Sequence, residues 1–152
     1  AILKLNESGM RKDIEDMVVN KKIPILGVCV GMQMLAQSSE EGKLKGLGWV
    51  NAKVKRFDSS NRAILPHMGW NNIGVKKKDP LFENIDTVAP YFYFVHSYYV
   101  VPEDQSMVAT VTNYGVEFVS GIQYKNIYAF QFHPEKSQTM GLSLLERFSN
   151  LN

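Results

Sequence analysis

The stretch Ile23-Pro24-Ile25-Leu26-Gly27-Val28-Cys29-Val30-Gly31-Met32-Gln33-Met34-Leu35-Ala36 decides the fold. Its first half is a short apolar run of the kind that forms a buried parallel strand, and its second half has the composition of a helix. Between them, Gly27-Val28-Cys29-Val30-Gly31 is the cysteine form of the G-x-S-x-G elbow, a sharp strand-to-helix turn that exposes a nucleophile. Small residues two before and two after Cys29 are expected because the turn crowds neighbouring backbone. The helix beginning there should aim its positive end at the sulfur and favour thiolate over thiol.

A second apolar strand, Ile127-Tyr128-Ala129-Phe130-Gln131-Phe132, runs into His133-Pro134-Glu135. In extended backbone, residues two apart face the same side, so the imidazole and the carboxylate can lie together. One group can move a proton while the other orients it, the division of labour of a catalytic triad. A lone cysteine is more often an inert small hydrophobe than a nucleophile. The glycine-flanked elbow and the His-x-Glu pair together favour Cys29, His133 and Glu135 as a catalytic set.

Gly27-Val28-Cys29-Val30-Gly31-Met32-Gln33 and Gln131-Phe132-His133-Pro134-Glu135-Lys136-Ser137 resemble the class I glutamine amidotransferases. Leu65-Pro66-His67-Met68-Gly69-Trp70-Asn71 and Tyr93-Phe94-Val95-His96-Ser97-Tyr98 narrow the resemblance to the glutaminase subunits of imidazole glycerol phosphate synthase. Ser38-Ser39-Glu40-Glu41-Gly42 and Gly46-Leu47-Gly48-Trp49 fit the same branch. Ala129 stands where these proteins often have glycine, and Val30 where leucine is common.

The resemblance implies an α/β fold: a flavodoxin-like mixed sheet flanked by helices, lacking its first strand-helix-strand portion. It implies L-glutamine as substrate, histidine biosynthesis as the pathway, and a (β/α)8-barrel synthase as heterodimeric partner receiving the ammonia. Gln33 would help bind substrate, the alternative being a solvent-facing helical amide. Ser97 and Tyr98 match the segment gripping the amino-acid end of glutamine; otherwise Ser97 is a strand residue beside a core histidine. Trp70, Tyr93 and Lys136 match partner-facing positions, whereas on residue type alone Trp70 and Tyr93 would be core aromatics. The N–H of Val30, next after the nucleophile, is the expected oxyanion donor. Two rivals stand beside this reading: a paralogous glutaminase feeding a sugar-amidating partner, and an inactive scaffold or regulatory subunit that keeps the triad by descent.

The bulk composition agrees with one soluble domain over residues 1–152: hydrophobic residues are 45%, charged residues 21%, and the formal charge of +2 argues against nucleic acid as a partner. No apolar run approaches the roughly 20 residues of a membrane span. A single cysteine makes no internal disulfide, which fits a reducing cytoplasm. Cys29, His67, His96 and His133 lack zinc-ligand spacing, so neither metal nor other cofactor is expected, and His67 and His96 are read as structural or interface residues. Lys76-Lys77-Lys78, before Asp79-Pro80, reads as a solvated turn. Because the chain begins Ala1-Ile2-Leu3-Lys4, it is expected to be the C-terminal part of a longer protein.

Ser8 is expected to cap a helix carrying Met10, Ile14, Met17 and Val18 on one face. Strands are expected over 49–57, 63–65, 70–75, 91–101, 107–112, 118–123 and 127–132, and a closing helix over 139–151.

Overall fold

A computed structural model describes residues 1–58, 64–83 and 90–151. Two short helices, α1 (Ile2–Glu7) and α2 (Arg11–Glu15), lead through a π-helical turn, Asp16–Asn20, towards strand β1 (Ile25–Val28). The expected Ser8 cap is displaced: Met10 is the N-cap of α2, while Ser8 closes α1 and its Oγ accepts from the Met10 N–H. Of the four apolar residues on the expected helix face, Val18 alone is buried. α3 (Val30–Met34) follows Cys29 directly and has five residues.

The remaining strands are β2 (Ser38–Ser39), β3 (Ala52–Arg56), β4 (His67–Asn72), β5 (Gly74–Val75), β6 (Tyr91–His96), β7 (Tyr98–Pro102), β8 (Val108–Asn113), β9 (Glu117–Tyr124) and β10 (Ile127–Phe130). Helix α4 (Gln138–Ser149) closes the described chain. Eight strands form one mixed sheet, ordered β1-β10-β9-β7-β3-β2, with β8 also on β9 and β5 on β8. The β1–β10 and β2–β3 pairs are parallel and the other pairs antiparallel. β4 and β6 make a separate two-stranded sheet, with Trp70 opposite Tyr93 and His67 opposite His96.

The expected single strand over 91–101 is therefore two. Ser97 interrupts it, and the halves join different sheets, β6 to β4 and β7 to β3. Of the expected strand at 63–65, position 63 lies outside the described residues, and Ile64 and Leu65 are not in a strand.

Two apolar clusters hold the sheet. One gathers Phe92, Phe94, Phe118, Phe130, Phe132 and Leu144 beneath α4. The other gathers Met32, Leu35, Val54, Val100, Ile122 and Ile127 on the α3 side. Phe130 and Phe132 stack at 4.8 Å, so the strand that delivers His133 is anchored by aromatic packing immediately before it. Among the described residues, no helix is long and apolar enough to cross a membrane.

Candidate active site

Cys29 sits at φ +51°, ψ −107°, a left-handed conformation that costs a non-glycine residue energy and persists only when its surroundings enforce it. The enforcement is visible on both sides. The Cys29 N–H donates to the Phe130 carbonyl at 2.7 Å, continuing the β1–β10 ladder into the turn, and the Cys29 carbonyl accepts from the Gln33 N–H at 3.2 Å.

The two flanking glycines differ in what they do. A Cβ on Gly27 would lie 3.0 Å from both the Gly31 carbonyl carbon and the Met32 nitrogen, backbone atoms with no freedom to yield. A Cβ on Gly31 would meet nothing within 4 Å, so the expectation that crowding demands a small residue there does not hold.

The charge state of the sulfur also departs from expectation. Burial pushes the Cys29 thiol above its ordinary pKa, outweighing the lowering effects of the Val30 N–H and the Gln131 amide. A five-residue helix offers little dipole to offset desolvation. In this unliganded geometry the thiol contacts the Val95 carbonyl at 3.8 Å and receives the Gln131 Nε2–H at 3.6 Å. Desolvation thus opposes ionisation of the sulfur in this geometry.

His133 and Glu135 meet as their spacing requires. His133 Nδ1 lies 2.7 Å from Glu135 Oε1. The imidazole is largely buried, with 15% of its side chain exposed, while Glu135 is 49% exposed. The carboxylate accepts from Nδ1–H, which leaves Nε2 as the atom free to take a proton. That Nε2 is buried and, among the described residues, has no hydrogen-bond partner. Cys29 and His133 are not hydrogen-bonded to one another here, as is common before substrate tightens a site.

The backbone around His133 is tied down. Its N–H donates to the Tyr93 carbonyl at 2.8 Å, and its carbonyl accepts from Ser137 Oγ at 2.6 Å. The same Ser137 Oγ accepts from the Tyr93 N–H, so one buried hydroxyl fastens the Pro134–Lys136 3-10 turn to β6. Gly141 lets α4 pass against this turn, since a Cβ there would fall 1.8 Å from the Pro134 carbonyl oxygen.

Gln33 does not face solvent. Its Nε2 donates to the Tyr98 carbonyl at 3.2 Å and to Gln131 Oε1 at 3.0 Å. Gln131, fully buried at the end of β10, then reaches Cys29. Sequence reasoning passed over Gln131 as one residue of an apolar strand; a fully polar amide between Phe130 and Phe132 was the available signal.

The Tyr98 carbonyl also accepts from His96 Nδ1 at 2.7 Å. His96 Nε2 accepts from the His67 Nδ1–H at 3.0 Å, and His67 Nε2 lies 3.2 Å from the Asn71 amide, whose nitrogen also donates to the Asn113 carbonyl. Carbonyl acceptors at both ends fix the direction of the whole chain and keep both rings neutral. Burial agrees, pushing His67 down to about 4 and His96 to about 3. These two histidines are structural in this geometry.

Ser97 lies between β6 and β7, where its carbonyl accepts from the Phe57 N–H. An open pocket of about 410 Å³ lies beside α3, lined by Val30, Gln33 and Glu41 among others. Neither Ser97 nor Tyr98 lines it.

Trp70 is 48% exposed, and its ring meets that of Tyr93 edge-on at 6.1 Å. Lys136 is exposed on the turn after His133. Trp70 is thus a surface residue and not a core aromatic, and Tyr93 is half-buried beside it.

The family profile "Glutamine amidotransferase class-I" matches residues 6–150. The imidazole glycerol phosphate synthase subunit HisH of Leptospira borgpetersenii is 48% identical over 151 residues, covering 97% of this chain and 74% of that one. Subunit HisH 2 of Methanococcus maripaludis is 47% identical over 144 residues, covering 95% of this chain and 71% of that one. A crystal structure of a glutamine amidotransferase, 17% identical, superposes with a TM-score of 0.68 over 95% of this chain and 71% of its own, a likeness of fold. The chain spans 64% and 54% of two further solved chains with the same fold. The chain belongs to the class I glutamine amidotransferase family, in the branch of the imidazole glycerol phosphate synthase HisH subunits.

Proposed function

We propose that this chain hydrolyses the side-chain amide of L-glutamine and delivers the ammonia to a (β/α)8-barrel synthase, which forms imidazole glycerol phosphate in histidine biosynthesis. The observation that carries the chemistry is the His133–Glu135 pair: Nδ1 held at 2.7 Å by the carboxylate, and a buried Nε2 with no partner among the described residues. An imidazole in that state is a base of fixed tautomer waiting for a proton.

His133 Nε2 takes the Cys29 proton as the sulfur attacks the amide carbon of glutamine. The oxyanion that develops is met by the Val30 N–H, the first N–H of α3. The tetrahedral intermediate collapses with breakage of the C–N bond, and His133 returns the proton to the leaving nitrogen, which departs as ammonia. Water then attacks the γ-glutamyl thioester, giving its proton to His133, and the sulfur leaves as glutamate forms. Glu135 holds the tautomer and stabilises the imidazolium in both halves.

Substrate is gripped by Gln33, Ser97 and Tyr98, with the pocket beside Val30 and Gln33 as the entry. Trp70, Tyr93 and Lys136 form the contact with the barrel partner. They lie at the same end as the base, because β6 carries Tyr93 and bonds His133. We place the reaction in the cytoplasm, where a reducing environment keeps Cys29 free. Similarity to proteins named as HisH subunits favours the histidine pathway over a sugar-amidating partner.

Ammonia release from glutamine, measured with the protein as encoded, tests this reading. Turnover should be low for the subunit alone and rise at least roughly tenfold with the ligand-occupied barrel synthase, a coupling between two sites. Trp70→Ala or Lys136→Ala should weaken that stimulation while leaving the melting temperature near its original value. Full activity without a partner contradicts the coupling, and no glutamine hydrolysis with the partner present contradicts the function.

A further inference from the structure

We propose that Gln131 is a catalytic residue that orients and hydrogen-bonds the nucleophile: its side-chain amide donates to Cys29 Sγ and favours thiolate over thiol. The proposal rests on the reading of Cys29 as the nucleophile.

The direction of this hydrogen bond is set by main chain. The Tyr98 carbonyl can accept and cannot donate, so the Gln33 group 3.2 Å from it is the NH₂ end. The second hydrogen of that NH₂ points to Gln131 at 3.0 Å, so the Gln131 atom receiving it is the carbonyl oxygen. The remaining end of the Gln131 amide, its NH₂, is then the group 3.6 Å from Cys29 Sγ. Both amides are polarised in sequence from one fixed carbonyl, and neither can flip without setting like against like.

Gln131 itself is fully buried between Phe130 and Phe132. Placing an amide there is costly unless its hydrogen bonds are made, and the bonds it makes run to substrate-side Gln33 and to the sulfur. Its backbone N–H is bonded to the Ser120 carbonyl at 2.9 Å, which fixes the side chain's point of departure.

A donor aimed at the sulfur strengthens as charge develops there, since hydrogen bonds to an ionised acceptor exceed those to a neutral one. The Val30 N–H acts on the same thiol in the same sense. Burial raises its pKa, and the nearby carboxylates Glu135 and Glu41 raise it further. Among the described residues, the Val30 N–H and the Gln131 amide act in the opposite direction. His133 is the titratable base of the site, on the same turn as Glu135. The resting S–H can meanwhile contact the Val95 carbonyl.

The rate of Cys29 alkylation by iodoacetamide, followed against pH by peptide mass spectrometry on the protein as encoded, reads the thiol directly and does not depend on glutamine turnover. The thiolate displaces iodide to form the S–C bond, so the rate follows the thiolate fraction. Gln131→Met keeps the shape and removes the donor. It should move the midpoint of the profile up by about one pH unit, a roughly tenfold slower reaction at neutral pH. Gln131→Glu keeps the acceptor for Gln33 but presents a carboxylate to the sulfur, and should shift the midpoint upward at least as far. It decides the matter alone if the Met variant fails to fold by circular dichroism. Profiles that superpose on the unsubstituted protein overturn the role of Gln131. A Cys29 that stays unreactive across the pH range in the unsubstituted protein overturns the nucleophile assignment, and this proposal with it.

Discussion

Removing the imidazole of His133 should reduce glutamine hydrolysis about 10⁴-fold or more, because triad members act as a unit and no other group can both take and return the proton. In the proposed mechanism the atom whose loss matters is Nε2, buried and without a hydrogen-bond partner among the described residues. Glu135→Ala should be roughly 10²-fold less severe, since its role is orientation and its half-exposed position lets water replace part of the hydrogen bond. Single-turnover and steady-state rates of the two variants, each with the barrel partner, check the ranking. Equal losses at both positions would assign Glu135 a proton-transfer role that its exposure does not support.

Among the described glycines, Gly141→Ala should be the most destabilising alanine substitution, with Gly46→Ala next. An alanine Cβ at 141 falls 1.8 Å from the Pro134 carbonyl oxygen and 2.9 Å from Ser137 Cβ, well inside contact distance. Either α4 or the Pro134–Lys136 turn must move, and that turn carries Glu135 and the Ser137 latch on Tyr93. Overpacking of this degree should cost at least ~3 kcal/mol, lowering Tm by roughly 10 °C, and should misplace His133 as well. Gly31→Ala is the control: its Cβ meets nothing within 4 Å and it lies within a helix, where alanine outranks glycine by about 1 kcal/mol. Its Tm should hold or rise slightly, read by thermal denaturation of both variants. An unaltered Tm for Gly141→Ala would show that the helix can shift without cost.

The elbow was legible because its signal is local. A strand of apolar residues, glycines at fixed offsets and a cysteine at the turn leave one geometry, and Cys29 adopts it at φ +51°. His133 and Glu135 were legible for the same reason, since residues two apart in extended chain share a side. Whatever depends on distant parts of the chain was hidden. Gln131 reaches Cys29 and Gln33 across about a hundred residues, and its place between Phe130 and Phe132 marks it as unusual without naming those partners. Gly141 lies in the closing helix, and the Pro134 carbonyl set against it comes from outside that helix.

The strand over 91–101 misled because, His96 and Ser97 apart, its residues are all aromatic or β-branched. The break at Ser97 arises from the two partners it serves, β4 before and β3 after. The thiolate expectation weighed the helix end and omitted desolvation, which dominates at a half-buried sulfur behind a five-residue helix. Trp70 and Tyr93 could not be placed by residue type, because an aromatic pair on a two-stranded sheet has the same composition whether it faces a core or a partner.

The assignment of Cys29 as a glutaminase nucleophile is tested most directly by an electrophilic glutamine analogue, a γ-diazoketone, incubated with the protein as encoded and its barrel partner. The account predicts one label per molecule on Cys29, found by peptide mapping, competed by L-glutamine and absent from Cys29→Ala. Labelling that persists in Cys29→Ala, or that L-glutamine does not suppress, would contradict it.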